Sequence, residues 1–376
     1  MRPLQVAVRP PGAFPGSSLL NNGLFAGVKY NHLGDSTHWL RPYGALKKRA
    51  AEQGYELVTE DLADLNSAAA LLFMDIPADP AELRALRRAY PDLKLILQTI
   101  ESATGRLWTL DPENHRQFDA IVSYDDRHAG LSRYFVHKIP AGGIDGWLGP
   151  LRNVPWEARR LVCMAAICKP TPPVLLRRTG LGMLRRGWRM SPATWWNYVS
   201  ENNSLYGARQ DVAVALAKSV GGDFDLFGAG WEEHGPAAVQ TSFRGAMATS
   251  KLEFLAGYRF NIAFENCRNR CGYISEKIFD AFLAGTVPVY LGNDDILQYI
   301  PRETFVDVRE FRSYADLVQY LQVMPQDQWQ AMRDAADAFL RGRAVTHFGQ
   351  DQYIAAVLGA LHYCLGHSLP SARAAA

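Results

Sequence analysis

The chain has 376 residues, 48% of them hydrophobic and 21% charged, with a formal net charge of +2. That length exceeds what one hydrophobic core usually serves, so two domains are expected, and the composition excludes a disordered or fibrous chain. The near-neutral balance gives no global nucleic-acid-binding character; any basic feature must be local.

The N-terminal stretch MRPLQVAVRPPG holds a short apolar strand broken by proline, not the core of a signal peptide. No apolar run reaches the ~18 residues of a membrane span. A cytoplasmic protein is the expectation. KYNHLGDSTHWL (Lys29 to Leu40) places His32, His38 and Trp39 just before a helix. They could line an acceptor pocket, but a helix-entry turn with a buried Trp is the preferred reading, and they are not named as a site.

Strands are expected at Leu4 to Val8, Tyr55 to Val58, Ala70 to Met74, Leu93 to Thr99, Phe118 to Val122 and Tyr134 to Ile139, with helices at Trp39 to Gln53 and Pro80 to Tyr90. Continuous rather than alternating apolar strands, separated by helices, predict a parallel sheet covered on both faces. The Gly- and Pro-rich loop Pro140 to Pro155 marks a domain boundary.

The pattern then restarts. Strands fit Leu161 to Ile167, Asp223 to Gly228, Arg259 to Phe264, Val287 to Gly292 and Thr304 to Val308. Helices fit Arg209 to Ser219, Ser250 to Gly257, Ser275 to Ala284, Tyr314 to Val323, Gln326 to Leu340 and Phe348 to Leu365. The division is 1–150, 151–345 and a last helix with a frayed tail at 346–376. Two Rossmann-like units enclose a cleft, where open parallel sheets bind ligands beyond the carboxyl ends of their strands.

Five cysteines suit a reducing compartment better than a disulfide framework. Cys163, Cys168, Cys267 and Cys271 could be drawn as a zinc site, but neither pair has the two-residue spacing of common zinc knuckles, and Cys163 and Cys168 flank an apolar MAAI. No metal site is assigned.

The stretch FENCRNRCGYISEKIFDAFLAGTVPVYLG (Phe264 to Gly292) carries the chemistry. Glu265 and Asn266 are placed at the carboxyl edge of the strand ending at Phe264. Ser275 is the expected N-cap of a helix whose Ile278, Phe279, Phe282 and Leu283 form one apolar face. Tyr273, Glu276 and Lys277 surround its N-terminus, where unpaired N–H groups favour an anion. A lysine there suits a bound phosphate, with Glu276 accepting from sugar hydroxyls. An exposed Glu-Lys pair on a capped helix is the other reading, and spacing alone leaves both open.

FEN, GYISEKIFDAFLAGTVPVYLG and IPRETFVDVREF (Ile300 to Phe311) together resemble the donor-binding motif of the α-1,3/4-fucosyltransferases, glycosyltransferase family ten. ARQDVAVALAKS, DLFGAGW and SKLEFLAGYRFNIAFEN are similar to that family's lead-in segments, and QTIESATG resembles its Glu-Ser-Pro segment with Ala103 in place of Pro. The resemblance implies an α/β protein of GT-B fold, with two Rossmann-like domains whose parallel sheets face a central cleft. It implies an inverting mechanism without an essential metal or cofactor, a GDP-sugar donor, and an oligosaccharide or glycolipid acceptor. By matched position, Arg209 and Lys277 hold the diphosphate with Tyr273 beside it, Glu276 binds donor hydroxyls, Asn266 lies near the transferred sugar, and Glu101 is the general base. Asp125 and Asp126, after the strand Phe118 to Val122, are rival bases. Transfer of L-fucose from GDP-fucose is the expected activity. A transferase using another GDP-sugar, an inactive nucleotide-sugar-binding homologue and an epimerase of the same architecture are the alternatives.

Three further features remain. Asp223-Phe-Asp225 has the form of a metal-binding Asp-x-Asp but overlaps a strand start, so it is taken as structural. Asn293-Asp294-Asp295 could touch a substrate or be ordinary loop polarity. The segment Val174 to Trp196 departs from the family and carries Arg177, Arg178, Arg185, Arg186 and Arg189 among Leu, Met and Trp. Peripheral contact with an anionic membrane, or a solvated hairpin on the cleft rim, would each explain it.

Overall fold

The computed structural model describes residues 2–10, 17–26, 37–77, 79–102, 109, 111–138, 154–169, 191–192, 204–247 and 250–366, the side chains of 37–39 excepted. Its frame is two parallel sheets. The first joins β1 (Leu4–Arg9), β2 (Tyr55–Thr59), β3 (Ala70–Met74), β4 (Lys94–Gln98), β5 (Ala120–Ser123) and β6 (Tyr134–Val136) in the order β2-β1-β3-β4-β5-β6. The second joins β7 (Arg160–Ala165), β8 (Phe224–Phe227), β9 (Tyr258–Asn269), β10 (Val287–Asn293) and β11 (Val306–Asp307) in the order β11-β10-β9-β7-β8.

Every residue of β3 (ALLFM) is buried, as expected of a central strand covered on both faces. Helix α1 (Thr37–Glu52) lies on one face of the first sheet, where Leu46 and Ala50 join Val6, Val8 and Leu72 in one core. Helix α2 (Pro80–Ala89) covers the other through Leu83 and Leu86, packed with Phe73, Leu95 and Leu97. Asp79 starts α2 by accepting the Ala81 N–H at 2.8 Å, just before Pro80.

In the second domain α3 (Tyr206–Val220) and α6 (Tyr314–Val323) cover one face of the sheet. Helices α4 (Lys251–Leu255), α5 (Glu276–Ala284) and α7 (Gln326–Arg341) cover the other. The last helix, α8 (Gln350–Leu365), returns to the first domain. Its Tyr353, Ile354, Val357 and Leu361 are buried among the residues of β1, β3 and β5, and the Tyr353 hydroxyl donates to Gln98 at 3.1 Å.

Several expected boundaries move. Strand β9 continues through Glu265 to Asn269 instead of ending at Phe264, because its far end pairs with Asn293 of β10. Helix α3 starts at Tyr206, so Arg209 lies within its first turn and does not open it. The strand expected at Thr304 to Val308 shortens to Val306–Asp307, because 3₁₀ turns occupy both flanks and Asp307 accepts the Arg309 N–H at 3.0 Å. Among the described residues no helix is long and apolar enough to cross a membrane.

Candidate active site

The strand order of the second sheet reverses between β7 and β9, and the crevice that opens at such a point is where doubly wound sheets place ligands. Arg209, from the first turn of α3, reaches the end of β9 there. It is 2% exposed, and its guanidinium donates to the Phe264 carbonyl at 2.7 Å and to Asn266 Oδ1 at 2.9 Å. Its Nε is buried without a hydrogen-bond partner. Burial lowers the Arg209 pKa, against the pull of Tyr206, Glu265, Tyr273 and Glu276.

Glu265 is fully buried inside β9 and does not stand at the carboxyl edge of a strand ending at Phe264. Because β9 runs on past Phe264, the Glu265 carboxylate is carried beneath the start of α5. It accepts the Ser275 N–H at 2.7 Å, the Ser275 hydroxyl at 2.6 Å and the Lys277 ammonium at 3.3 Å. Ser275 therefore occupies the N-cap position without the expected side-chain cap: its oxygen donates to Glu265 and accepts from Lys277 at 2.9 Å. Glu265 takes the capping role from a neighbouring strand. Gly292 makes this possible, since a Cβ there would lie 2.4 Å from Glu265 Cγ and 2.5 Å from the Tyr290 hydroxyl oxygen.

Glu276 and Lys277 are not an exposed pair. Their side chains are 21% and 17% exposed, 3.5 Å apart, and Lys251 lies 3.9 Å from Glu276 and 2.6 Å from Asp280. Burial works to lower the Lys277 pKa, but Glu276 and Glu265 outweigh it and the net shift is upward. Burial likewise works to raise Glu276, and Lys277 and Lys251 reverse it. The ammonium and carboxylate thus both stay charged in a confined space.

Tyr273 is 5% exposed in a loop folded by Asn269. Asn269 Oδ1 accepts the N–H groups of Cys271 at 3.3 Å and Tyr273 at 3.1 Å, and its Nδ2 donates to the Tyr273 carbonyl at 3.2 Å. Burial first, then the Glu265, Glu101 and Glu276 carboxylates, push the Tyr273 phenol well above its ordinary pKa. The Tyr273 ring meets the first domain, packing edge to face on Tyr124 with centroids 5.2 Å apart.

Glu101 follows β4 and is exposed. Its backbone N–H donates to Asp75 Oδ1 at 3.1 Å, beside that of Ile100 at 2.9 Å. The rival carboxylates are engaged elsewhere. Asp125 is 1% exposed, caps the turn Asp126–His128 and pairs with Arg127 at 2.8 Å. The Asp126 carboxylate accepts from Lys138 of its own domain and from the Tyr299 hydroxyl of the other. The Asp126 N–H donates to the Cys271 carbonyl at 3.4 Å, and Lys138 donates to that of Gly272 at 3.4 Å. This clasp requires glycine at 272, where φ is +76° and a Cβ would meet Lys138 Nζ at 2.1 Å and Asp126 Oδ2 at 2.2 Å.

The remaining polar candidates bond within the second domain. Asp225 is buried and accepts from Arg244 at 2.8 Å and the Tyr258 hydroxyl at 2.7 Å. Asn293 bonds Asn269 at 3.0 Å, and Asp294 pairs with Arg268 at 2.6 Å and Arg270 at 3.3 Å. The four cysteines considered for zinc fall in three separate apolar clusters, with Cys267 and Cys271 together beside Tyr124 and Tyr273. Among the described residues no group of three or more His, Cys, Asp or Glu side chains could hold a metal ion. His32, the side chains of His38 and Trp39, the loop 140–153 and, apart from residues 191–192, the segment 174–196 lie outside the described residues.

Sequence reasoning missed Lys251, Asn269 and the buried role of Glu265. Its one available signal was continuity: a strand buried on both faces carries the residue after Phe264 inward with the rest.

The profile of glycosyltransferase family 10 (fucosyltransferase), C-terminal region, matches residues 190–333. The chain is 34% identical over 80 residues to the alpha-(1,3)-fucosyltransferase FucT of Helicobacter pylori, a stretch making up 21% of this chain and 16% of that protein. A crystal structure of an alpha1,3-fucosyltransferase with GDP is similar at TM-score 0.52 and 14% identity, covering 97% of this chain and 91% of the other. The DNA-modifying enzyme beta-glucosyltransferase is similar at TM-score 0.52 and 12% identity, covering 94% and 99%. At such identities the structural likeness shows the fold alone, two parallel-sheet domains in the GT-B arrangement. Over residues 190–333 the chain is therefore similar to the C-terminal region of glycosyltransferase family 10 (fucosyltransferase), and it spans only a short stretch of the curated relatives' own length.

Proposed function

We propose that the protein is an inverting, metal-independent glycosyltransferase that moves L-fucose from GDP-fucose to a hydroxyl of a glycan acceptor in α-1,3/4-type linkage. The observation that carries this reading is the meeting of the two domains at Tyr273: its ring packs on that of Tyr124 of the first domain at 5.2 Å, and the Tyr124 hydroxyl donates to the Glu101 carbonyl at 3.0 Å. The family match over 190–333 covers the donor-side half of that arrangement.

The chemistry is one in-line displacement. The acceptor oxygen attacks the anomeric carbon, its proton passes to the Glu101 carboxylate, and the bond from that carbon to the diphosphate oxygen breaks to release GDP. Negative charge grows on the departing diphosphate as the bond opens. Lys277, Arg209 and the N–H groups at the start of α5 supply fixed positive ends for it, and preorganised groups of this kind are commonly the largest catalytic contribution. Asn266, bonded to Arg209 at 2.9 Å, and Glu276 at the helix start are the groups proposed to read the sugar. Base and cations come from opposite domains, as an inverting displacement needs them on opposite sides of the sugar.

Glu101→Gln keeps size and polarity but cannot take the proton. Turnover is expected to fall about 10²-fold or more while GDP affinity by calorimetry stays as in the parent. A variant that keeps above about a tenth of parental turnover would remove Glu101 as the base.

A further inference from the structure

Tyr124 directly follows β5 and is fully buried, yet neither of its two main contacts lies within its own strand. Its ring faces the second domain, in an apolar cluster with Cys267, Cys271 and Tyr273. The rings of Tyr124 and Tyr273 meet edge to face, with centroids 5.2 Å apart. Its hydroxyl instead turns to the first domain and donates to the Glu101 carbonyl at 3.0 Å. With Asp75 holding the Glu101 N–H, the backbone on both sides of this residue is pinned while its side chain stays exposed. Burial, then the neighbouring Cys271 and Cys267, push the Tyr124 phenol well above its ordinary pKa, so it remains a donor throughout the neutral range. The Asp126–Lys138–Tyr299 clasp lies next to this contact and fixes the two loops in register.

We infer that Tyr124 is a positioning residue that sets Glu101 against Tyr273, joining the proton-accepting segment of one domain to the donor-side loop of the other. The inference rests on the roles proposed above for Glu101 and Tyr273. A tyrosine suits the task because one rigid side chain presents an apolar edge to one partner and a hydrogen-bond donor to the other. The two contacts are chemically separable, and the test uses that. Displacement of a reacting group by about 1 Å can cost up to ~10²-fold in rate.

Tyr124→Phe keeps the ring and loses the anchor on Glu101. It is expected to lower kcat about tenfold or more while GDP affinity and donor KM change by less than about twofold. Tyr124→Leu, which also removes the ring packed on Tyr273, is expected to weaken GDP binding as well. In a Glu101→Gln background, Tyr124→Phe should cost nothing further, since the group it positions no longer accepts a proton. Parental kcat in Tyr124→Phe, or an equal loss in both backgrounds, would overturn the assignment. If instead Glu101→Gln alone leaves transfer intact, the base assignment falls first, a result distinct from a silent Tyr124→Phe.

Discussion

Lys277 faces two demands that pull in different directions. It must hold a full charge in a confined place, and in its proposed role it must remain available to an incoming anion. The surrounding charges explain how both are met: Arg209, Lys251 and Lys277 stand against Glu265, Glu276 and Asp280, three cations to three carboxylates. Because Glu265 is fully buried, its carboxylate would be costly without the ammonium and the two Ser275 donors. Lys277→Ala should therefore act twice. It should weaken GDP binding at least about tenfold in calorimetry, and it should lower unfolding free energy by about 3 kcal/mol through the stranded carboxylate. Equal GDP affinity would contradict the phosphate role even if the stability loss were found.

The strand-loop-helix unit from β9 to α5 works as one piece because two of its side chains bond to its own backbone and a glycine closes its helix. Asn269 folds the loop, Glu265 holds the helix start, and Gly285 closes the helix at φ +65°, where its N–H returns to Phe282 at 2.9 Å. Gly292 sits beneath the piece and leaves room for Glu265. Gly292→Ala is expected to destabilise by about 1–3 kcal/mol in urea titration and to weaken GDP binding, because the added methyl must displace Glu265 or Tyr290. Gly222→Ala, whose Cβ would meet nothing within 4 Å, should change stability by less than about 0.5 kcal/mol and serves as the comparison. The same unit marks how far the sequence could be read. The apolar spacing of Ile278, Phe279, Phe282 and Leu283 gave the helix, and the all-apolar strands gave the sheets and their order of appearance. Who caps α5 was not legible, since a serine at the start of a helix predicts its own oxygen as acceptor and cannot announce a carboxylate ten residues earlier. The clasp at Gly272 was equally hidden, because its partners Asp126, Lys138 and Tyr299 lie far away along the chain.

At the scale of the molecule the first domain should be the acid-sensitive one. His115 and His137 are buried there, and burial lowers both to about 4, with the Lys138 charge assisting at His137 and those of His128 and Arg133 at His115. An unfolded chain protonates them near ~6.5. Between those limits the unfolded state binds protons that the native state does not, so stability falls as pH drops from about 6.5 toward about 4, then levels as the folded histidines titrate. The full slope is on the order of 1.4 kcal/mol per pH unit for each histidine. Urea midpoints at pH 7, 6 and 5 should fall in that order, less steeply in His137→Gln; identical midpoints would contradict the buried neutral state. The two-domain frame was legible from restarting strand-helix alternation, but the allegiance of the last helix was not, since an amphipathic pattern does not name the sheet it covers. That allegiance shapes biosynthesis. With α8 supplying Tyr353, Val357 and Leu361 to the first sheet, the N-terminal lobe waits, one wall open, until the ribosome has delivered the entire second lobe. The lobe made second is thus the one able to close its core first.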